Sequence, residues 1–218
     1  MTTGQLHGVR VVATSDLHGR LPEVPPCDLL LIAGDLCPIT DHSHAFQQRF
    51  LEGPFASWLE GIEATTIVGI AGNHDFLAED SPGFMRSLPW TYLCDESVEV
   101  SGLVVHGAPW TPTYGDWAFM RDDTALETRW EQISTRTTIL MTHGPPFGQG
   151  DLVVDGRHAG SRSLSRRIDV LPDLRLHVFG HIHEAGGTVT ERGACKSANV
   201  SHVDFGYEPA LAPVVFDL

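Results

Sequence analysis

The sequence predicts an α/β fold, and two observations lead there. Apolar runs of strand length alternate with stretches whose apolar residues recur at helical spacing. Five of those runs also end in Asp, Asn or His, as expected where an α/β sheet carries a site outside the carboxyl ends of its strands. The clearest is Asp28-Leu29-Leu30-Leu31-Ile32-Ala33-Gly34-Asp35. It reads as a buried strand, after which Gly34 allows a sharp turn and leaves the Asp35 carboxylate at the sheet's edge.

Taken in order, Val9 to Thr14 is β-branched and apolar and forms the first strand, with Asp16 and His18 in the loop behind it. Leu21 to Pro26 is proline-rich and irregular, and Leu29 to Ala33 is the second strand. Residues 42–62 read as a helix in two pieces. Ala45, Phe46, Phe50 and Leu51 line the first, Gly53-Pro54 breaks it, and Phe55, Trp58, Leu59 and Ile62 line the second. Thr65 to Ala71 is a third strand ending at Gly72. A turn and a short helix near Phe84-Met85 fit residues 76–90, and Ser97 to His106 alternates around Ser101-Gly102 as a hairpin. Residues 107–123 are a long loop rich in Trp, Pro, Gly and Asp, and Thr124 to Ile133 is helical. Thr137 to Thr142 is a strand running into His143, and residues 144–160 are loop. Ser161 to Val170 is a helix capped by Ser161 or Ser163, and Leu174 to Phe179 is a strand running into Gly180. Short strands make up the tail from Gly187 to Leu218. With no repeat, low-complexity tract or linker, a single domain over residues 1–218 is the simplest account.

A formal net charge of −14 disfavours long nucleic acid, which needs a basic face to release counterions. A small anion is still acceptable to an acidic protein if a metal makes the site locally positive. The start Met1-Thr2-Thr3-Gly4-Gln5-Leu6-His7 lacks the basic and apolar regions of a signal peptide. No apolar run reaches membrane-span length, so no membrane partner is expected. Cys27, Cys37, Cys94 and Cys195 are scattered without a paired spacing and read as reduced thiols of a cytoplasmic protein.

The strand-end segments are Ser15-Asp16-Leu17-His18, Gly34-Asp35, Gly72-Asn73-His74-Asp75, Thr142-His143-Gly144 and Gly180-His181-Ile182-His183. Each alone is an ordinary turn. Together they offer carboxylate, carboxamide and imidazole groups in one chain order, which reads as a convergent metal site. That order resembles the calcineurin-like metallophosphoesterase superfamily. Val105-His106-Gly107-Ala108-Pro109-Trp110, Thr142-His143-Gly144-Pro145-Pro146, His177 through Glu184, and Val215-Phe216-Asp217-Leu218 extend the likeness to the small metallophosphodiesterases of mammalian brain and their bacterial relatives. The likeness spans about Val9 to Leu218.

The resemblance implies a four-layer α-β-β-α sandwich, two sheets packed face to face with helices outside. It implies a first metal held by Asp16, His18, Asp35 and His183, and a second by Asp35, Asn73, His143 and His181, with Asp35 bridging. His74 becomes the catalytic acid near the leaving group, and Asp75 orients its imidazole. Oxygen and imidazole donors without thiolate suit manganese or iron, with zinc also compatible. Two such ions activate a hydroxide and clamp a phosphoryl oxygen, and an alkoxide leaving group then needs a proton that a histidine is suited to give. The implied activity is hydrolysis of small phosphodiesters such as cyclic nucleotides or other nucleotide-like diesters. Its rivals are a phosphomonoesterase and a non-catalytic binding module on the same fold. A serine/threonine protein phosphatase fits less well, because Leu36-Cys37-Pro38-Ile39-Thr40 follows Gly34-Asp35 where those enzymes continue toward Asp-Arg-Gly.

Substrate contacts are expected from Asn73, His74, Trp110, Arg157 and Asn199. Trp110, Tyr114 and Trp117 offer rings for stacking on a base or for packing their loop on the core, two alternatives the sequence leaves balanced. Arg157, His158 and Arg162 near the phosphate compete with an ordinary solvated helix start. Asn199 competes with a turn residue. His106 reads as structural, Cys37 as a bystander, and Glu184 as a partner of a metal ligand.

Overall fold

The computed structural model describes residues 8–218, so the expectation for Met1 to His7 lies outside the described residues. Two sheets stand back to back. The first contains β1 (Arg10–Thr14), β2 (Cys27–Ala33), β3 (Ala64–Ile70), β4 (Thr91–Tyr92) and, from the far end of the chain, β13 (Val214–Asp217), in the order β13-β1-β2-β3-β4. The second contains β5 (Glu96–Val100), β6 (Leu103–Ala108), β9 (Ile139–Thr142), β10 (Leu176–Phe179), β11 (Val189–Arg192) and β12 (Cys195–Asn199), in the order β11-β12-β10-β9-β6-β5. A small ribbon pairs β7 (Thr111–Pro112) with β8 (Met120–Arg121).

Side-chain alternation explains the layers. Val11, Ala13, Leu29, Leu31, Val68 and Ile70 of the first sheet meet Val105, Ile139, Met141, Leu176 and Val178 of the second in one buried cluster. The opposite faces, including Val12, Leu30, Ile32 and Leu140, belong to a second cluster built with helix residues such as Phe55, Leu59, Leu126, Trp130, Leu164 and Ile168. A central strand buried on both faces has no polar side to alternate, and Leu29 through Ala33 is therefore continuously apolar. Helix, sheet, sheet, helix is the four-layer sandwich expected.

The outer helices are α1 (His44–Phe50), α2 (Ala56–Glu60), α3 (Phe76–Asp80), α4 (Pro82–Met85), α5 (Asp123–Trp130) and α6 (Arg162–Ile168). Ser161, not Ser163, caps α6, its hydroxyl accepting the Leu164 N–H at 3.1 Å. The break expected at Gly53-Pro54 is absent. A π-helical turn, Leu51–Phe55, joins α1 to α2, with Pro54 inside it. Proline has no N–H and crowds the carbonyl four residues back, and a wider turn accommodates both defects. Residues 76–90 hold two short helices rather than one, and the 107–123 loop is tied by the β7–β8 ribbon.

β1, β2 and β3 run parallel, as do β6, β9, β10 and β12. A parallel bridge from Ser15 to Ser201 links the end of β1 to the chain beyond β12. The polar strand ends of both sheets meet there.

Candidate metal centre

Turns after the strands aim the polar side chains inward. Asp16, His18, Asp35 and His181 all have positive φ, 52°, 44°, 52° and 69°. That conformation is uncommon outside glycine and is held here by cross-strand bonds: Asp16 N–H to Gly34 O at 2.9 Å, His18 N–H to Asp35 O at 2.9 Å, and Gly180 N–H to His143 O at 3.0 Å. Gly72 and Gly180 are needed for space. A Cβ on Gly72 would stand 2.3 Å from Asp35 Oδ1, and one on Gly180 would stand 1.9 Å from Asp16 Oδ2.

The donor atoms converge. Asp35 Oδ2 lies 3.5 Å from His18 Nε2 and 3.4 Å from His143 Nε2. His183 Nε2 lies 3.3 Å from Asp16 Oδ1 and 3.3 Å from His18 Nε2. His143 Nε2 lies 2.9 Å from Asn73 Oδ1. Atoms bound about 2.0–2.2 Å from one ion stand about 3–3.5 Å from each other, so these separations fit shared ions. Two groups form, Asp16 with His18 and His183, and Asp16 with Asp35 and His143. Asp16 falls in both groups, whose candidate donor atoms lie within 4.8 Å of one another. The His181 ring centroid lies 5.1 Å from that of His143.

Three further features suit cations. Asp16 and Asp35 are buried, and their only charged partners among the described residues are histidines; buried carboxylates without a compensating cation are costly. The second ring nitrogens of two histidines face carbonyls, His143 Nδ1 to Ala33 O at 2.9 Å and His183 Nδ1 to Asp204 O at 3.2 Å. This leaves Nε2 free to ligate, the outer-shell arrangement of metal-bound imidazoles. Burial also holds His18 down to about 4 and His181 to about 3, so both are neutral, the ligating form. His143 differs: burial lowers it, but the charge of Asp35 overrides this and raises it to about 9. Burial would raise Asp35, yet His143 and His74 hold it well below the carboxylate range. Asp16 is likewise lowered, its burial outweighed by His183 and His143.

Asp16 is braced by the His181 N–H, 3.0 Å from both oxygens, and by the Ser201 hydroxyl at 2.8 Å. Ser201 had no signal in the sequence, since its contact spans most of the chain. Asp35 and His74 line a cavity of about 710 Å³, with Asn73, Tyr114, His181, His183, Phe205 and Tyr207. Tyr207, also unforeseen, sits edge-on to His18 at 4.9 Å.

Several expected roles are corrected. Asp75 does not orient the His74 ring. Its carboxylate accepts the N–H groups of Leu36, Cys37 and Gly72 at 2.8–3.1 Å and so ties the loop after β2 to the one after β3. Burial, followed by the charge of Asp35, raises it to about 6. Trp110 is buried away from the cavity. Its indole N–H reaches both Asp95 oxygens at 2.9 Å, and the Arg129 guanidinium lies 3.7 Å over its ring. Asn199 is also buried, its amide donating to Gly150 O and Ile182 O and its oxygen accepting the Ser201 backbone N–H at 3.1 Å. Both hold loops in place. Arg157 lines the cavity but is exposed and paired with Asp155 at 2.7 Å. Arg162 lies over the Phe147 ring, and Glu184 accepts a long bond from the Val154 N–H rather than bracing a ligand. Of the balanced aromatics, Tyr114 is exposed and lines the cavity, and Trp117 packs tilted against His74 with ring centroids 4.4 Å apart.

Comparison with known proteins agrees with this geometry. The profile of the calcineurin-like phosphoesterase family matches residues 9–185. A UPF0046 protein of Caenorhabditis elegans is 30% identical over 235 residues, covering 96% of this chain and 81% of that protein. Metallophosphoesterase domain-containing protein 1 of Homo sapiens is 31% identical over 238 residues, covering 96% of this chain and 71% of that protein. A dimetal phosphatase from Danio rerio superposes with a TM-score of 0.55 over 89% of this chain and 88% of its own, at 8% identity, a likeness of fold. The chain belongs to the calcineurin-like phosphoesterase family.

Proposed function

We propose that this metallophosphoesterase-family protein hydrolyses small phosphodiesters, cyclic nucleotides or other nucleotide-like diesters among them. The observation that carries the reading is Asp35, whose one oxygen faces His18 on one side and His143 on the other. Asp16, His18, Asp35 and His183 would hold one divalent ion, and Asp35, Asn73, His143 and His181 the other, with manganese or iron best suited and zinc compatible. Bound there, the ions supply Lewis acidity toward the phosphoryl oxygens and acidify water for attack at phosphorus. The chain's own residues do the rest. Asp16 and Asp35 fix the ligand frame. His74, lining the cavity, gives a proton to the leaving oxygen as its bond to phosphorus breaks and the bond from water forms. A cavity of about 710 Å³ has room for both substituents of a small diester, and Tyr114, Phe205 and Tyr207 offer apolar faces to one of them.

The net charge of −14 supports a small substrate rather than long nucleic acid. No helix among the described residues is long and apolar enough to cross a membrane. Scattered free cysteines support a cytoplasmic setting. The test is a panel of phosphomono- and diesters against protein loaded separately with manganese, iron and zinc. Faster turnover of diesters is expected. Preference for monoesters would replace the diester reading with a phosphatase, and bound ions without hydrolysis of any ester would replace it with a binding module.

A further inference from the structure

With Asp75 committed to the backbone, the His74 ring has another neighbour. His42 Nε2 lies 3.2 Å from His74 Nδ1, the ring centroids 5.3 Å apart. His42 lies between β2 and α1, outside every motif that marks the metal site. Its ring is held against Phe76 at 5.4 Å and edge-on to Trp117 at 5.4 Å, and Trp117 in turn covers His74. The His74 backbone is fixed independently. Its N–H donates to Asp35 Oδ1 at 2.8 Å, and its carbonyl accepts the Gln47 amide at 2.6 Å. Only rotation of the His74 side chain is left free by these bonds, and its ring is packed by Trp117 and His18 and meets one polar group, His42 Nε2. His74 Nε2 has no hydrogen-bond partner among the described residues, leaving it available to a substrate in the cavity the residue lines.

We propose that His42 is the positioning residue for His74, a histidine–histidine pair in which a neutral imidazole does the orienting. This rests on the phosphoesterase reading above. When His74 carries both ring protons, its Nδ1–H donates to the lone pair of His42 Nε2, and His42 keeps its own proton on Nδ1. His74 Nε2–H is then the one that faces the leaving oxygen. In the step, that N–H bond breaks as the O–H bond forms on the departing oxygen. His74 ends neutral and still donates through Nδ1, so the ring does not turn during transfer. An imidazole in this place fixes the ring without adding a further negative charge to a site that already holds Asp16 and Asp35.

The test compares His42→Phe, which keeps a ring between Phe76 and Trp117 but has no nitrogen, with His42→Gln, whose carboxamide oxygen can still accept. Two readouts are used: kcat on an aryl diester and on an alkyl diester that the wild type turns over, and 15N shifts of the histidine rings in the purified protein. Misplacing a general acid costs about 10²-fold, mainly where the leaving group needs its proton. The expected result is a loss for His42→Phe about tenfold or more greater on the alkyl than on the aryl ester, with unchanged metal content. His42→Gln should recover much of it, and the hydrogen-bonded Nδ1 signature of His74 should vanish in His42→Phe only. Equal losses on both esters, Gln no better than Phe, or an unchanged His74 signature would overturn the assignment. A wild type that binds metal but hydrolyses neither ester overturns the phosphoesterase reading itself, and this one with it.

Discussion

Asp35 Oδ1 accepts the backbone N–H of His74 at 2.8 Å. Its other oxygen faces His18 and His143. One carboxylate therefore joins the candidate metal ligands to the backbone of the residue proposed as the acid. Gly72 leaves room for this, and Gly72→Ala should disturb both functions at once. The intruding methyl meets Asp35 Oδ1 at 2.3 Å and the Asp35 amide nitrogen at 2.5 Å, so backbone must move. Overpacking of this kind costs about 1–3 kcal/mol. Thermal unfolding should show the destabilisation, and elemental analysis a protein short of metal.

Gly180→Ala probes the other carboxylate. Its methyl would overlap Asp16 Oδ2 and Ser15 Oγ. Metal content should fall here too, without the direct displacement of the Asp35–His74 bond. Gly83→Ala is the control. Among the described residues, nothing lies within 4 Å of the added methyl in helix α4. Alanine there should leave metal binding intact and stabilise by up to about 1 kcal/mol.

Trp110 tests whether an aromatic in the 107–123 loop serves substrate or scaffold. It packs edge-on to Phe119 at 5.3 Å, holds Asp95 through its N–H and lies under Arg129. Trp110→Ala should lower stability by about 3–5 kcal/mol. Trp110→Phe, milder, should shift the melting temperature while leaving KM for a diester within about twofold. A large KM change in a well-folded Trp110→Phe would return Trp110 to the substrate site.

His177 predicts a pH dependence of folding. It is fully buried beside Phe179, Nε2 meets Thr142 Oγ1 at 2.8 Å, and Nδ1 has no partner among the described residues. Burial lowers its pKa from 6.5 to about 3. The unfolded chain takes up a proton below about 6.5 that the folded protein refuses until about 3. Stability from this group is therefore complete above 6.5 and declines as pH falls through that window. His177→Leu should flatten the decline by on the order of a few kcal/mol between pH 7 and 4. Thr142 Oγ1 also donates to Gly144 O at 2.7 Å, a bond that does not need His177. Denaturant titrations at several pH values give the comparison; parallel curves for both proteins would remove His177 from the acid response.

The candidate metal-site residues were legible because each closes an apolar strand, so a linear pattern already implies a common rim. The strands were legible for the same reason, from doubly buried runs such as Leu29 to Ala33. What sequence could not supply was the direction of a side chain. Asp75 is adjacent to His74 in the chain, yet its carboxylate turns to the backbone of Gly72, Leu36 and Cys37. His42, Ser201 and Tyr207 reach the site only because the sheets bring distant loops together, and no local motif marks them. Pro54 shows the limit of a local breaker rule, since packing of Leu51 and Phe55 into the core carries the helix past it as a π turn.

Two ions are proposed to share the Asp35 carboxylate. The most direct test is a metal titration of wild type and Asp35→Asn followed by calorimetry and elemental analysis. The amide keeps the shape and an oxygen but loses the charge. Wild type is predicted to bind two equivalents. Asp35→Asn is predicted to lose affinity at both sites, more than His18→Ala or His143→Ala loses, and to lose turnover of phosphodiesters with it. Two equivalents bound by Asp35→Asn with wild-type affinity would contradict the shared carboxylate.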